Sequence, residues 1–189
     1  MKAYLIPGSG EDLKSRNYGL ILDIYRQHGY EPEFLPITWK YRTISQWVEE
    51  IEHKLSKSDI QDSLLSGFSF GAMIALAVAA KTSPKTLLLF SLSPYFKEDM
   101  PLPHSHAVWT GKRRVADFQK LSFDQLAQQI HCPTTFFLGS IEKEKYGDKR
   151  SSEARGKING SKLVIATGAG HDITHPGYQA AIKRALERL

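Results

Sequence analysis

The sequence predicts an α/β fold: a doubly wound, mostly parallel six-stranded sheet with helices on both faces. Three observations predict it. Short β-type runs alternate with longer helical patterns along the whole chain. Several runs are apolar on consecutive residues, as in Leu87-Leu88-Leu89-Phe90, Phe136-Phe137-Leu138 and Leu163-Val164-Ile165. A strand apolar on both faces is buried on both faces, the situation of a parallel sheet sandwiched by helices. The length, 189 residues, suits one domain with a sizeable core.

The expected strands are 2–6, 33–37, 62–67, 86–91, 134–138 and 162–166. The expected helices lie between them. Residues 18–27 put Ile21, Leu22 and Tyr25 on one side and stop at His28-Gly29, a C-cap signal. Residues 45–55 repeat Trp47, Val48, Ile51 and Leu55 at helical spacing. Residues 70–81 are apolar almost throughout, the mark of a buried central helix. Residues 122–130 carry Phe123, Leu126 and Ile130, and 177–189 repeat Ala181, Ile182, Ala185, Leu186 and Leu189 behind Pro176. Right-handed crossovers then give one domain over 1–189. The irregular stretch, about 94–118, is rich in Pro, His and aromatics and reads as a small lid-like insert.

Composition narrows the function classes. The longest apolar stretch, 72–80, falls far short of the ~20 residues that span a bilayer. The apolar start is too short for a signal peptide, so the expectation is a cytoplasmic protein without a membrane partner. A single cysteine, Cys132, rules out an intrachain disulfide and a cysteine-based zinc site; it reads as the buried start of a strand. The net charge of +5 is dispersed, with its densest cluster at Lys112-Arg113-Arg114. No nucleic-acid module accompanies it. The cluster reads as a solvated face, or as a contact for an anionic substrate group.

The chemistry is carried by Gly67-Phe68-Ser69-Phe70-Gly71, a G-x-S-x-G pattern between a strand-like run and the apolar helix. Strand, sharp turn and helix are the context in which such a serine becomes an exposed nucleophile. The glycines leave room where the turn packs the residues two before and two after Ser69 together. The helix behind favours developing negative charge. A serine needs a base. His171, in Gly168-Ala169-Gly170-His171-Asp172, follows the last strand, at the sheet edge where open α/β sheets build their sites. Glu142 is the first acid beyond the strand at 134–138 and is the expected orienter of His171, with Glu144, Asp148 and Asp99 as alternatives. Asp172 adjoins His171 too closely to reach its Nδ1. The expected oxyanion donors are the backbone N–H of Phe70 and that of Ser9, or else Gly10, in the loop Pro7-Gly8-Ser9-Gly10. That loop lacks the glycine spacing of a phosphate cradle.

His171 and His175 are four apart, but Gly170 and Pro176 argue against a shared helix, and no metal or other cofactor is expected. His104 and His106 read as solvated loop residues. Trp39, Tyr95 and Trp109, with Tyr41, Phe96, Phe118 and Tyr146 nearby, are the candidate walls for substrate.

These motifs resemble the α/β-hydrolase family across nearly the whole chain: Pro-Gly-Ser-Gly after the first strand, the turn at 67–71, an acid loop after Leu138, and Gly170-His171. His131-Cys132-Pro133-Thr134 is similar to the family's entry into its acid-bearing strand. The chain is most like the small single-domain serine hydrolases that lack two leading strands. It departs in having Pro7 where many members have His before Gly, and a Glu where Asp is commoner. The resemblance implies a small-molecule carboxylic ester as substrate, or a thioester or amide. A non-catalytic interaction module on the same scaffold and an acyltransferase are the alternatives.

Overall fold

The computed structural model describes residues 1–146 and 149–189. Six parallel strands form one sheet in the order β2-β1-β3-β4-β5-β6. They are β1 (Lys2–Ile6), β2 (Glu31–Phe34), β3 (Leu64–Phe68), β4 (Thr86–Phe90), β5 (Thr134–Gly139) and β6 (Lys162–Ala166). Where the sequence suggested a mostly parallel sheet, every pairing is parallel. The order reverses at β1, so chain crossovers put helices on both faces.

Alternation along each strand divides two cores. Tyr4, Ile6, Leu65, Leu87, Leu89 and Phe136 face one side, with α2 (Ile44–Lys54), α4 (Phe70–Thr82) and α7 (Phe123–Gln128). Ala3, Leu5, Leu64, Leu88, Phe90 and Phe137 face the other, with α1 (Gly19–Gln27) and α10 (Pro176–Leu186). Helix α4 packs against the sheet on one side and against α2 and α7 on the other. It therefore has no solvent face to keep polar, which explains its uniform apolarity.

The structure corrects several expected bounds. The second strand runs over 31–34 instead of 33–37: Phe34 ends the pairing, and Leu35 and Ile37 leave the sheet to fill the core beside α2. Five short helices were not anticipated: α3 (Lys57–Gln61), α5 (His104–Thr110), α6 (Lys112–Phe118), α8 (Ser140–Tyr146) and α9 (Lys149–Lys157). The stretch at 94–118 is thus mostly helical. The first four of these helices, of five to seven residues, carry too few turns for their periodicity to register, and α9 has Ala154 as its sole apolar side chain, so it shows no stripe. Among the described residues no helix is long and apolar enough to cross a membrane.

The turn after β3 is as tight as its glycines suggest. A Cβ on Gly67 would lie 2.1 Å from the carbonyl oxygen of Gly71, and one on Gly71 would lie 2.4 Å from that of Ile6 and 2.3 Å from that of Pro7. Backbone atoms cannot yield as side-chain ends do. Gly67→Ala should therefore lower the unfolding free energy by about 3 kcal/mol. Gly156→Ala, in α9 with no heavy atom within 4 Å, should raise it by up to ~1 kcal/mol. Urea unfolding of the two variants checks the contrast; equal effects would contradict it.

Candidate active site

Ser69 sits between β3 and α4 with φ 57° and ψ −117°, a conformation that costs a non-glycine residue of order 1–3 kcal/mol. It is anchored by its own N–H, which donates to Phe90 O at 2.9 Å. The side chain is turned up to the carboxyl edge of the sheet, where Oγ lies 3.0 Å from His171 Nε2. On the far side of the ring, Nδ1 is 2.9 Å from Glu142 Oε1. With the carboxylate on Nδ1, that nitrogen carries the proton and donates, which leaves Nε2 free to accept from the serine hydroxyl. The structure thus brings Ser69, His171 and Glu142 into one chain of contacts.

Glu142 comes from the first turn of α8. Its other oxygen accepts from Ser91 Oγ at 2.6 Å, and the Tyr178 hydroxyl stands 3.5 Å away. Burial pushes the Glu142 carboxyl up, but hydrogen bonds from His171 and Ser91 and the charge of His171 outweigh it, so the group stays below the usual glutamate value. Glu144 is exposed on the same helix. Asp99 accepts from Phe96 N in a local turn. Asp148 lies outside the described residues, as does the side chain of Tyr146.

Two features bring the acid and histidine loops together. A Cβ on Gly139, at the end of β5, would fall 2.4 Å from Ala169 O and 2.7 Å from Gly170 O. Ile141 N donates to Ala169 O, and Gly168 N to Ser140 Oγ. His171 is also held from the opposite side. Arg16 Nη1 donates to His171 O at 3.2 Å and to Asp172 Oδ1 at 3.1 Å, while Arg16 Nε donates to Glu11 Oε1 at 2.6 Å. The Phe68 ring packs between this guanidinium and the imidazole, with centroid distances of 5.2 and 4.8 Å. Asp172 is therefore engaged with Arg16. His175 caps α10 by accepting from Gly177 N at 3.0 Å.

For the expected oxyanion donors the local geometry is informative. Phe70 is the first residue of α4, where a helix leaves N–H groups without internal partners. In the loop after β1, Pro7 has no N–H, and that of Gly8 is committed to Tyr18 Oη at 2.9 Å. Among the described residues no partner is found for the N–H groups of Ser9 and Gly10. The Gly71 contact with Ile6 O and Pro7 O places this loop against the start of α4.

The buried Phe70 ring is the hub of an aromatic cluster whose solvent-reaching members are Trp39, Tyr95 and Trp109. Its centroid lies 5.0 Å from Tyr95, 5.7 Å from Phe118, and 6.2 Å from both Trp47 and Trp109. Trp39 joins through Trp47 at 5.0 Å. Tyr95 and Trp109 thus flank Phe70 directly, with Trp109 64% exposed. Phe96 and Phe118 are corrections: both are fully buried, Phe96 against Phe123 and Phe118 beneath Phe70, and both belong to the core. Tyr41, 90% exposed, makes no part of this cluster. His104 and His106 lie on α5 and not in an irregular loop, with His106 Nδ1 3.3 Å from the Tyr95 hydroxyl.

Sequence reading missed Ser93, whose Oγ is 3.1 Å from Ser69 Oγ, and Ser91, Tyr178, Arg16 and Gly139. Two hydroxyls spaced two apart just after β4, in Ser91-Leu92-Ser93-Pro94, were the available signal for the serines.

No family model matches the chain, and no curated protein matches it. Solved structures do. Est1E from Butyrivibrio proteoclasticus, in a structure with ferulic acid bound, superposes with a TM-score of 0.81 at 15% identity, covering 100% of this chain and 89% of that one. Mouse alpha/beta hydrolase domain-containing protein 10 gives 0.77 at 12% identity over 99% and 88%. MGS-MChE2, an alpha/beta hydrolase enzyme from a lagoon-sediment metagenome in Morocco, gives 0.72 at 13% over 99% and 89%. At these identities the likeness is one of fold.

Because the folded-state pKa of Glu142 is depressed, its stabilising contribution is complete above the unfolded value and is lost as pH falls through the folded one. The stability gap between wild type and Glu142→Gln, measured by urea unfolding, should be full at pH 7 and should shrink below about pH 4. A gap that does not change with pH would contradict the assigned charge.

Proposed function

We propose that this chain, whose fold is that of the α/β hydrolases, is a serine hydrolase that cleaves a carboxylic ester through an acyl-enzyme on Ser69. The observation that carries the reading is the continuous contact from Ser69 Oγ to His171 Nε2 and from Nδ1 to Glu142, at 3.0 and 2.9 Å. In this reading Ser69 Oγ attacks the carbonyl carbon while His171 Nε2 takes its proton. Glu142 keeps the ring in the accepting tautomer and stabilises the imidazolium. Charge on the tetrahedral oxygen is met by the N–H groups of Phe70 and Ser9, beside the start of α4. His171 then gives its proton to the departing alcohol. Water, activated by the same nitrogen, releases the acid.

The accessible aromatics Trp39, Tyr95 and Trp109 suit an apolar acyl or alcohol group, and Est1E's binding of ferulic acid, an aromatic carboxylic acid, is compatible with such a surface. Thioesters and amides share the chemistry. An interaction module with no turnover is the rival of another class. It has no use for a serine held in a strained backbone against a base, and that strain favours the catalytic reading.

Short p-nitrophenyl esters test the proposal. Wild type should turn them over; Ser69→Ala should lower kcat by about 10⁴-fold or more, and Glu142→Gln by about 10³-fold, with far-ultraviolet circular dichroism unchanged. Equal turnover by Ser69→Ala would remove the serine from the mechanism. Glu144→Gln, exposed on the same helix, should stay within about twofold of wild type; a loss matching that of Glu142→Gln would reassign the acid.

A further inference from the structure

The cluster Lys112-Arg113-Arg114 is one wall of a cleft of about 550 Å³, within the range of small-molecule sites. Residues 110–114 form that wall and residues 40–42 form the other, so five cations line it: Lys40, Arg42, Lys112, Arg113 and Arg114. Their partners are mostly neutral. Arg113 Nη1 donates to Tyr41 O at 3.1 Å and its Nη2 to Gln46 Oε1 at 3.2 Å. Arg114 donates from Nε to Arg42 O at 3.0 Å and from Nη2 to Trp39 O at 2.8 Å. Only Arg42 meets a carboxylate, Glu50 Oε2 at 3.2 Å; among the described residues the other four form no ion pair. Carbonyl acceptors fix the direction of a guanidinium without cancelling its charge. The one acid on the same helix, Asp117, is turned to Ser45, accepting from its N at 2.9 Å and its Oγ at 3.0 Å. That bond ties α6 to α2 and braces the cleft.

The cleft also has a fixed relation to the aromatic cluster. Its two walls begin one residue after Trp39 and Trp109 respectively. Trp109 packs at a tilt against Phe70, and Arg114 lies over the Trp47 ring at 5.1 Å. The Arg114 guanidinium is thus joined to Phe70 through the buried Trp47 ring, and the 110–114 wall through Trp109. Four uncancelled charges exceed what a lone carboxylate needs, and a cleft focuses the field of charges along its walls. Planar guanidinium donors match phosphate oxygens.

We propose that the 40–42/110–114 cleft binds a phosphate group, and that the ester hydrolysed at Ser69 carries it on its alcohol part. The second clause rests on the hydrolase reading; the first does not. The phosphate makes and breaks no bond: water adds to the acyl carbon, the alcohol leaves with its phosphate intact, and the cleft supplies binding alone.

Two measurements separate these clauses. Isothermal titration of wild type with inorganic pyrophosphate should show saturable binding, weakened about tenfold or more in Arg113→Gln and in Lys40→Gln/Lys112→Gln. The second variant breaks no backbone contact, so it keeps the test clear of misfolding. The second measurement compares 1-butyrylglycerol 3-phosphate with 1-butyrylglycerol, which differ by the phosphate only. Wild type should favour the phosphorylated ester about tenfold or more in kcat/KM, and both variants should bring that ratio towards one. Absent saturation, or saturation unchanged in both variants, overturns the site. A wild-type ratio near one overturns the assignment to substrate. If neither ester turns over while p-nitrophenyl esters do, the assignment to substrate fails and the hydrolase reading stands; if p-nitrophenyl esters are not turned over either, the hydrolase reading fails, and in both cases the titration still decides the cleft. Phosphatidylglycerol vesicles identify the source: retention together with pyrophosphate binding supports a phospholipid headgroup, pyrophosphate binding alone supports a soluble phosphate ester, and retention without pyrophosphate binding overturns the discrete site.

Discussion

The position of Ser69 at the top of the sheet depends on how closely the backbone at Gly67 approaches that at Gly71. With no side chain on either, β3 can turn into α4 in the space of one residue, and Ser69 takes the whole change of direction at φ 57°. The strain is local, but the support is distributed. Phe90 O holds the Ser69 N–H, Ile6 and Pro7 press their carbonyls on Gly71, and α4 is buried in the core over residues 70–79. A turn loosened by a single methyl group would withdraw Ser69 from His171 and move the loop after β1 away from Phe70 together.

A second close approach does the same for the other half of the site. Gly139 lets the end of β5 lie against the 169–170 backbone, so Glu142 and His171 are brought together by strands that neighbour each other in the sheet. Serine, acid and histidine thus come from the ends of β3, β5 and β6. Ser91, at the end of the intervening β4, holds the acid with its hydroxyl, donates its N–H to Phe137 O at 2.8 Å, and is itself in a positive-φ conformation at 48°. Each strand end in this row leans on the next one.

The architecture was legible in the sequence because its signals are long: consecutive apolar strand residues, a helix apolar all round, and glycines at the turn. The same holds for Ser69, His171 and Glu142, which all stand just past a strand. What was hidden falls into two kinds. Short helices such as α5, α6 and α8 hold two turns or fewer, too little for a period to emerge. Contacts between distant residues leave no local trace: nothing near Arg16 in the chain points to His171, and nothing near Arg113 points to Tyr41. Phe96 shows the converse error, since an aromatic in a loop reads the same whether it faces a ligand or, as here, Phe123.

The central claim is that the fold activates one serine by placing on it an imidazole backed by the largely buried carboxylate of Glu142. Labelling with a fluorophosphonate probe, followed by intact mass and peptide mapping, tests this most directly. The account predicts a single adduct, on the peptide containing Ser69, formed by native protein and abolished by His171→Ala and by prior unfolding in urea. Absence of the adduct on native protein, or equal labelling after His171→Ala, would contradict it.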